Sequence, residues 1–139
     1  AVKKVPSSVF WKLLIGSLVM LIGGYAGEAG YVSAMVGFIV GMAGWIYILF
    51  EIFSGEAGQL AAKAGNKSLQ TAFSAMRIIV TVGWAVYPLG YMFGYLTSGG
   101  ADVNTLNIVY NAADFLNKIA FGLIIWACAM QNTSARSVR

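Results

Sequence analysis

The segment TLNIVYNAADFLNKIAFGLIIWACAM, residues 105–130, is long and apolar enough to cross a bilayer, yet it carries Asp114 and Lys118 near its middle. A hydrocarbon core about 30 Å thick takes ~20 helical residues to cross, so the amine at position 118 lies too deep for its stem to reach either surface comfortably. The four-residue separation puts both side chains on one helix face, one turn apart, where they neutralise each other. Two readings of the pair follow. In the first it is a structural ion pair that joins this helix to a bundle. In the second it is chemical: a desolvated lysine amine condenses with a carbonyl compound to form a Schiff base, and Asp114 is the counterion of the protonated form. The cost of placing ionisable groups in hydrocarbon favours the second.

The rest of the composition agrees with a membrane setting. Of 139 residues, 59% are hydrophobic and 10% charged, too apolar for a soluble domain of this length. The expected fold class is an all-α membrane protein. Its formal charge of +4 is distributed between apolar spans and forms no basic patch, so nucleic acid is not an expected partner. Cys128 is the one cysteine and histidine is absent, which leaves no disulfide framework, no Cys/His metal site and no His-dependent catalysis. The expectation is a protein that is not an enzyme and holds no metal. The first residue is alanine rather than methionine, and the expectation is a further N-terminal portion ahead of it.

Hydropathy divides the chain into spans over about 9–26, 32–53, 69–96 and 105–130. Lys3 and Lys4 ahead of the first could be taken for a signal peptide, but Lys12 interrupts the apolar run and further spans follow it. The stretch SGEAGQLAAKAGNKS, residues 54–68, reads as a solvent loop, and the loop TSGGADVN leads into the last span with Asn104 as its expected N-cap. Lys3, Lys4, Lys12, Lys63, Lys67, Arg77, Arg136 and Arg139 cluster at both ends and in the central connection, whereas the other two turns hold Glu28 and Asp102. The positive-inside rule therefore puts both ends and the central loop in the cytoplasm. Gly23 and Gly27, Gly37 and Gly41, and Gly90 and Gly94 have the G-x-x-x-G spacing of close helix packing. Glu51 is expected to face water or pair with a base such as Arg77; Glu28 and Cys128 are also read as structural.

In the third span Trp84, Tyr87, Pro88 and Tyr91 fall at i, i+3, i+4 and i+7 and share a helix face. Pro88 lacks an N–H and clashes with the carbonyl of residue 84, which predicts a kink beside Trp84. Such a stripe alone is an ordinary core or an interfacial belt. Facing a buried amine, it suits an elongated apolar ligand tethered at one end, with tyrosine hydroxyls near the charged end.

The pairing of WAVYP in one span with DFLNKIAFG in the next resembles the last two helices of the microbial rhodopsins. LLIGSLVMLIGGYAGEAG, GWIYILFEIF, GWAVYPLGYMFGYL and IVYNAADFLNKIAFGLIIWA extend the resemblance, toward the proteorhodopsin branch of that family, over nearly the whole chain. It implies that residues 1–139 are the C-terminal four-helix part of a single seven-helix domain whose first three helices are absent here. The cofactor implied is all-trans retinal, held as a Schiff base by Lys118, with Asp114 in the counterion complex. Trp84, Tyr87, Pro88 and Tyr91 match pocket positions on the sixth helix, Trp45 a position on the fifth, and Met20 and Gly24 positions on the fourth. Tyr91 is a departure, standing where bacteriorhodopsin has tryptophan. Asn117 matches a site linked to colour tuning, and Tyr110 a position on the extracellular side. The activity implied is light-driven outward proton pumping in a bacterial inner membrane, by a homo-oligomer of five or six copies. The alternatives are a photosensory rhodopsin signalling to a transducer, a pump for another ion, and a retinal-free membrane subunit in which Lys118 and Asp114 merely pair.

Overall fold

Every regular element among the described residues is helical. The computed structural model describes residues 5–97 and 102–137. Lys3, Lys4, Arg139, the side chain of Arg136 and residues 98–101 of the third connection, on which part of the orientation argument rests, lie outside the described residues. The first span is α1, Ser7–Glu28. It ends where Gly30 turns left-handed at φ +76°, which lets the Tyr31 N–H return to the Ala26 carbonyl at 2.9 Å. Helix α2, Ala34–Phe53, starts at once because the Ser33 hydroxyl accepts the Val36 N–H at 3.3 Å.

Glycines bring α1 and α2 together backbone to backbone. A Cβ on Gly37 would stand 2.9 Å from the Gly23 carbonyl oxygen, and one on Gly44 would stand 2.9 Å from that of Gly16. Gly90 and Gly94 act differently: each leaves room for a side chain of the last helix, Tyr110 and Leu106 respectively.

The stretch expected as a plain solvent loop contains helix α3, Glu56–Ala62, with Ala57 and Gly58 buried. Its cause is Glu51, which is only 3% exposed and neither faces water nor pairs with Arg77. One Glu51 oxygen accepts the Ala57 N–H at 3.3 Å, and Lys12 bridges from α1 to Glu51 at 3.6 Å and to Glu56 at 3.0 Å. A buried carboxylate needs such partners, and together they fold the chain back beneath α1 and α2. Arg77 lies instead over the rings of Phe53 and Phe73, 5.0 and 4.7 Å from their centroids.

The third span is broken in register. Helix α4, Lys67–Ile78, passes into a π turn, Ile79–Gly83, then α5, Val86–Tyr91, and a second π turn, Met92–Leu96. Here the kink expected beside Trp84 is spread over a wide turn, in which the Trp84 N–H reaches the Ile79 carbonyl at 3.0 Å. Helix α6, Val103–Ser137, is capped by Asp102, whose carboxylate accepts the Thr105 N–H at 3.1 Å. The expected cap, Asn104, lies inside the first turn.

All four spans are long and apolar enough to cross a membrane. Large apolar residues such as Phe10, Ile22 and Trp126 stand about 60% exposed on the outside, as expected where lipid rather than water is the solvent. A small core of Ile48, Ile52 and Val80, flanked by Met20 and Trp84, joins α1, α2 and the third span.

Candidate functional site

Lys118 and Asp114 lie one turn apart on α6, and the ammonium donates to Asp114 Oδ2 as the spacing predicts. The second carboxylate oxygen is taken from the neighbouring span: Tyr87 Oη donates to Asp114 Oδ1 at 2.5 Å. Asp114 thus has a cation on one oxygen and a phenol on the other, two charge-assisted bonds that fix the direction of its carboxylate. Tyr110 packs its ring 5.6 Å from that of Tyr87 and donates its hydroxyl to the Tyr87 carbonyl at 3.2 Å. The phenol is therefore held from below by the same helix that carries its acceptor.

The π turn supplies the next layer. An i→i−5 bond to the Gly83 carbonyl would come from residue 88, a proline without an N–H, and Tyr87 donates instead to Trp84 at 3.1 Å. Asn117, the neighbour of Lys118, fills the position by donating to the Gly83 carbonyl at 3.0 Å. From the other side Trp45 on α2 donates its indole N–H to the Val80 carbonyl at 2.9 Å. Two site residues thereby hold the irregular backbone beside Trp84, which is how buried carbonyls outside regular ladders are satisfied. Tyr91, 5% exposed, donates to the Ala34 carbonyl at 2.9 Å, with its ring 5.8 Å from that of Phe38. Its hydroxyl occupies the space a side chain on Gly27 would need.

Met20, Gly24, Trp45, Trp84, Tyr87, Pro88, Tyr91, Tyr110, Asp114, Asn117 and Lys118 all line a cavity of 880 Å³. A Cβ built on Gly24 meets nothing within 4 Å, nor does one on Gly122. Both positions border open space. The cavity wall is mostly apolar, with Lys118, Asp114 and Glu28 as its charged lining groups, and the Lys118 side chain is 76% and the Asp114 side chain 45% exposed.

Sequence reasoning missed Phe38, Phe121 and Gly122, and it gave Glu28 a merely structural place although that residue lines the same cavity. Gly122 was within reach, since it follows Lys118 by one turn on the same face. Phe38 was not, because its place depends on the register of α2 against α5.

Comparison with known proteins agrees with this geometry. Residues 1–132 match the family model described as bacteriorhodopsin-like protein. The chain is 50% identical over 135 residues to a blue-light absorbing proteorhodopsin of Gamma-proteobacterium Hot 75m4, covering 96% of this chain and 53% of that protein. It is 47% identical over 134 residues to a green-light absorbing proteorhodopsin of Gamma-proteobacterium EBAC31A08, with the same coverage of 96% and 53%. The crystal structure of the blue light-absorbing proteorhodopsin from Med12 superposes with a TM-score of 0.73 at 53% identity, over 91% of this chain and 56% of that one. The chain spans about half the length of the curated relatives it matches. With an ion-paired lysine in an aromatic cavity and the family model matched over 1–132, the chain belongs to the bacteriorhodopsin-like protein family.

Proposed function

We infer that this chain is the C-terminal four-helix part of a seven-helix, light-driven outward proton pump, and that it holds all-trans retinal on Lys118. The observation that carries the reading is the Lys118–Asp114–Tyr87 chain of charge-assisted bonds at one end of an aromatic cavity. The residues fit the cofactor. A long apolar slot bounded by Trp45, Trp84 and Tyr91 ends at the only amine among its lining groups, and Gly24 and Gly122 keep side-chain bulk out of it. Retinal, when bound through the Lys118 nitrogen, supplies light absorption and a change of shape.

Each protein group then has a task that follows from its contacts. Lys118 Nζ holds the covalent link and a proton, and Asp114 Oδ2 stabilises the positive charge there. Tyr87 fixes the direction of the Asp114 carboxylate and shares its negative charge, so that a small displacement of the nitrogen alters the pairing strongly. Trp84, packed against the Ile48, Ile52 and Val80 core, and Tyr91, bonded to the Ala34 carbonyl, confine the slot and make its shape specific. The proton lost from Lys118 Nζ passes outward to an acceptor beyond this chain, and its replacement enters from the cytoplasmic side, where the Lys and Arg distribution supports placing both chain ends and the central connection.

The test is the external pH of illuminated cells that carry the complete protein and retinal, with and without a protonophore. Acidification abolished by the protonophore is expected. A coloured protein with a flat pH would belong to the photosensory reading instead, and a Lys118→Ala protein that still bound retinal covalently would overturn the site.

A further inference from the structure

Arg77 carries a charge that nothing among the described residues balances. It stands in the last turn of α4 with its guanidinium over the rings of Phe53 and Phe73. Its Nε is buried without a hydrogen-bond partner, and no ion pair or other hydrogen bond reaches the guanidinium among the described residues. The two terminal nitrogens, unlike Nε, are not buried, so their N–H groups remain open to a ligand.

The neighbouring contacts fix the depth of this charge. Gly83 lies close to the level of Lys118, because Asn117 bonds its carbonyl, and Arg77 precedes Gly83 by six residues, about 9 Å toward the α3 end. With the amine at the middle of a core about 30 Å thick, the Arg77 Cα lies roughly 6 Å beneath the boundary, a depth its own stem can span. Phe53, the last residue of α2, lies at the same level. The guanidinium therefore reaches the layer where the phosphates of one lipid leaflet stand.

The edge around it faces lipid. Ile46, Phe50 and Phe53 fall at i, i+4 and i+7 on α2 and are each half exposed or more, as are Ile78 and Val82 on the third span. None of the five lines the Lys118 cavity. The spans pack in series, α1 on α2, α2 on α4 and α4 on α6, so in a seven-helix bundle the remaining helices close the gap between α1 and α6 and leave this edge uncovered.

We propose that Arg77, bedded on Phe53 and Phe73, is the headgroup site of one anionic phospholipid, whose acyl chain lies along Phe53, Phe50 and Ile46. The phosphate supplies the counter-charge the chain does not, and the guanidinium fork matches two phosphate oxygens at once. An uncompensated cation at the edge of hydrocarbon is costly, which gives the pairing its driving force. The two rings hold the fork by cation–π contact, so little side-chain freedom is lost when the lipid arrives. Other basic residues at this end are placed differently: Lys12 is committed to Glu51 and Glu56, and Lys63 is exposed on the connection between spans.

The test titrates the complete retinal-bound protein in detergent with phosphatidylglycerol and, separately, with phosphatidylcholine of the same acyl chains, and counts bound lipids by native mass spectrometry. One phosphatidylglycerol should bind about fivefold more tightly than phosphatidylcholine, the preference that one basic residue near a membrane surface confers. Arg77→Gln should abolish that preference, and Lys63→Gln should retain it. The Arg77→Gln pigment should keep its absorbance, since residue 77 does not line the cavity and removing an unpaired charge from a lipid-facing edge does not impede folding. Equal affinities for the two lipids in the unaltered protein, or an undiminished preference in Arg77→Gln, would overturn the site. Displacement of the bound lipid by an excess of inorganic phosphate would mark a site for soluble anions and overturn the lipid assignment.

Discussion

Tyr87 donates its phenolic hydrogen across two spans to Asp114 Oδ1 at 2.5 Å, while Lys118 occupies the other oxygen of the same carboxylate. The carboxylate therefore has a fixed direction that neither α6 nor the third span could give it alone. Removing the phenol isolates that contribution. Tyr87→Phe should retain a covalently bound pigment, because Lys118 is untouched, but with a displaced absorption maximum. Bonds to charged groups contribute roughly 1.5–3 kcal/mol when buried. With Asp114 45% exposed, the loss in stability should be nearer 1 kcal/mol, read from the rate of thermal bleaching.

Two glycines should answer alanine oppositely. A Cβ on Gly37 would press on the backbone of Gly23 and Gly27, so Gly37→Ala should destabilise by about 1–3 kcal/mol. Gly24→Ala meets nothing within 4 Å and should stay within about 0.5 kcal/mol of the parent, yet it takes space from the cavity and should shift the pigment spectrum. Denaturation midpoints beside absorption spectra of both variants check the pair.

Asn117 is predicted to act through the backbone of its neighbour. Asn117→Ala removes the donor to the Gly83 carbonyl and should cost about 1 kcal/mol. The same change should speed amide hydrogen exchange around residues 79–87, whereas a residue concerned with colour alone would leave that exchange unaltered.

Glu51 organises the connection after α2. Glu51→Ala should lower the thermal midpoint more than Glu51→Gln, since glutamine still accepts the Ala57 N–H and alanine does not. Proteolysis near residues 56–62 should rise in the same order, because alanine leaves the Ala57 N–H without its acceptor, whereas both variants lose the Lys12–Glu51 pair and keep the Lys12–Glu56 bridge.

The Lys118–Asp114 pair, the shared face of Trp84, Tyr87, Pro88 and Tyr91, and the spans themselves were legible in the sequence because each depends on helical periodicity and hydropathy, which are local. The glycine spacings were legible for the same reason, though not that those of α1 and α2 face each other. What periodicity could not supply was the partner of any side chain on another helix. Glu51 was expected to face water or pair with a base such as Arg77 and turned to Lys12, because the ending of α2 brings α3 back under α1. Asp102, rather than Asn104, caps α6, a choice set by which side chain stands three residues before a bare N–H. That Tyr87 meets Asp114, that Asn117 meets Gly83, and that Asn66 meets Asn132 follows from the register of the third span against α6. Pro88 and the π turn shift that register by a fraction of a turn. The sequence by itself determined the spans and the paired charge inside the last one, because both are paid in hydrocarbon solvation along a single helix. The tertiary structure alone decided which groups surround that charge, because contacts between helices depend on rotations and offsets that no single helix records.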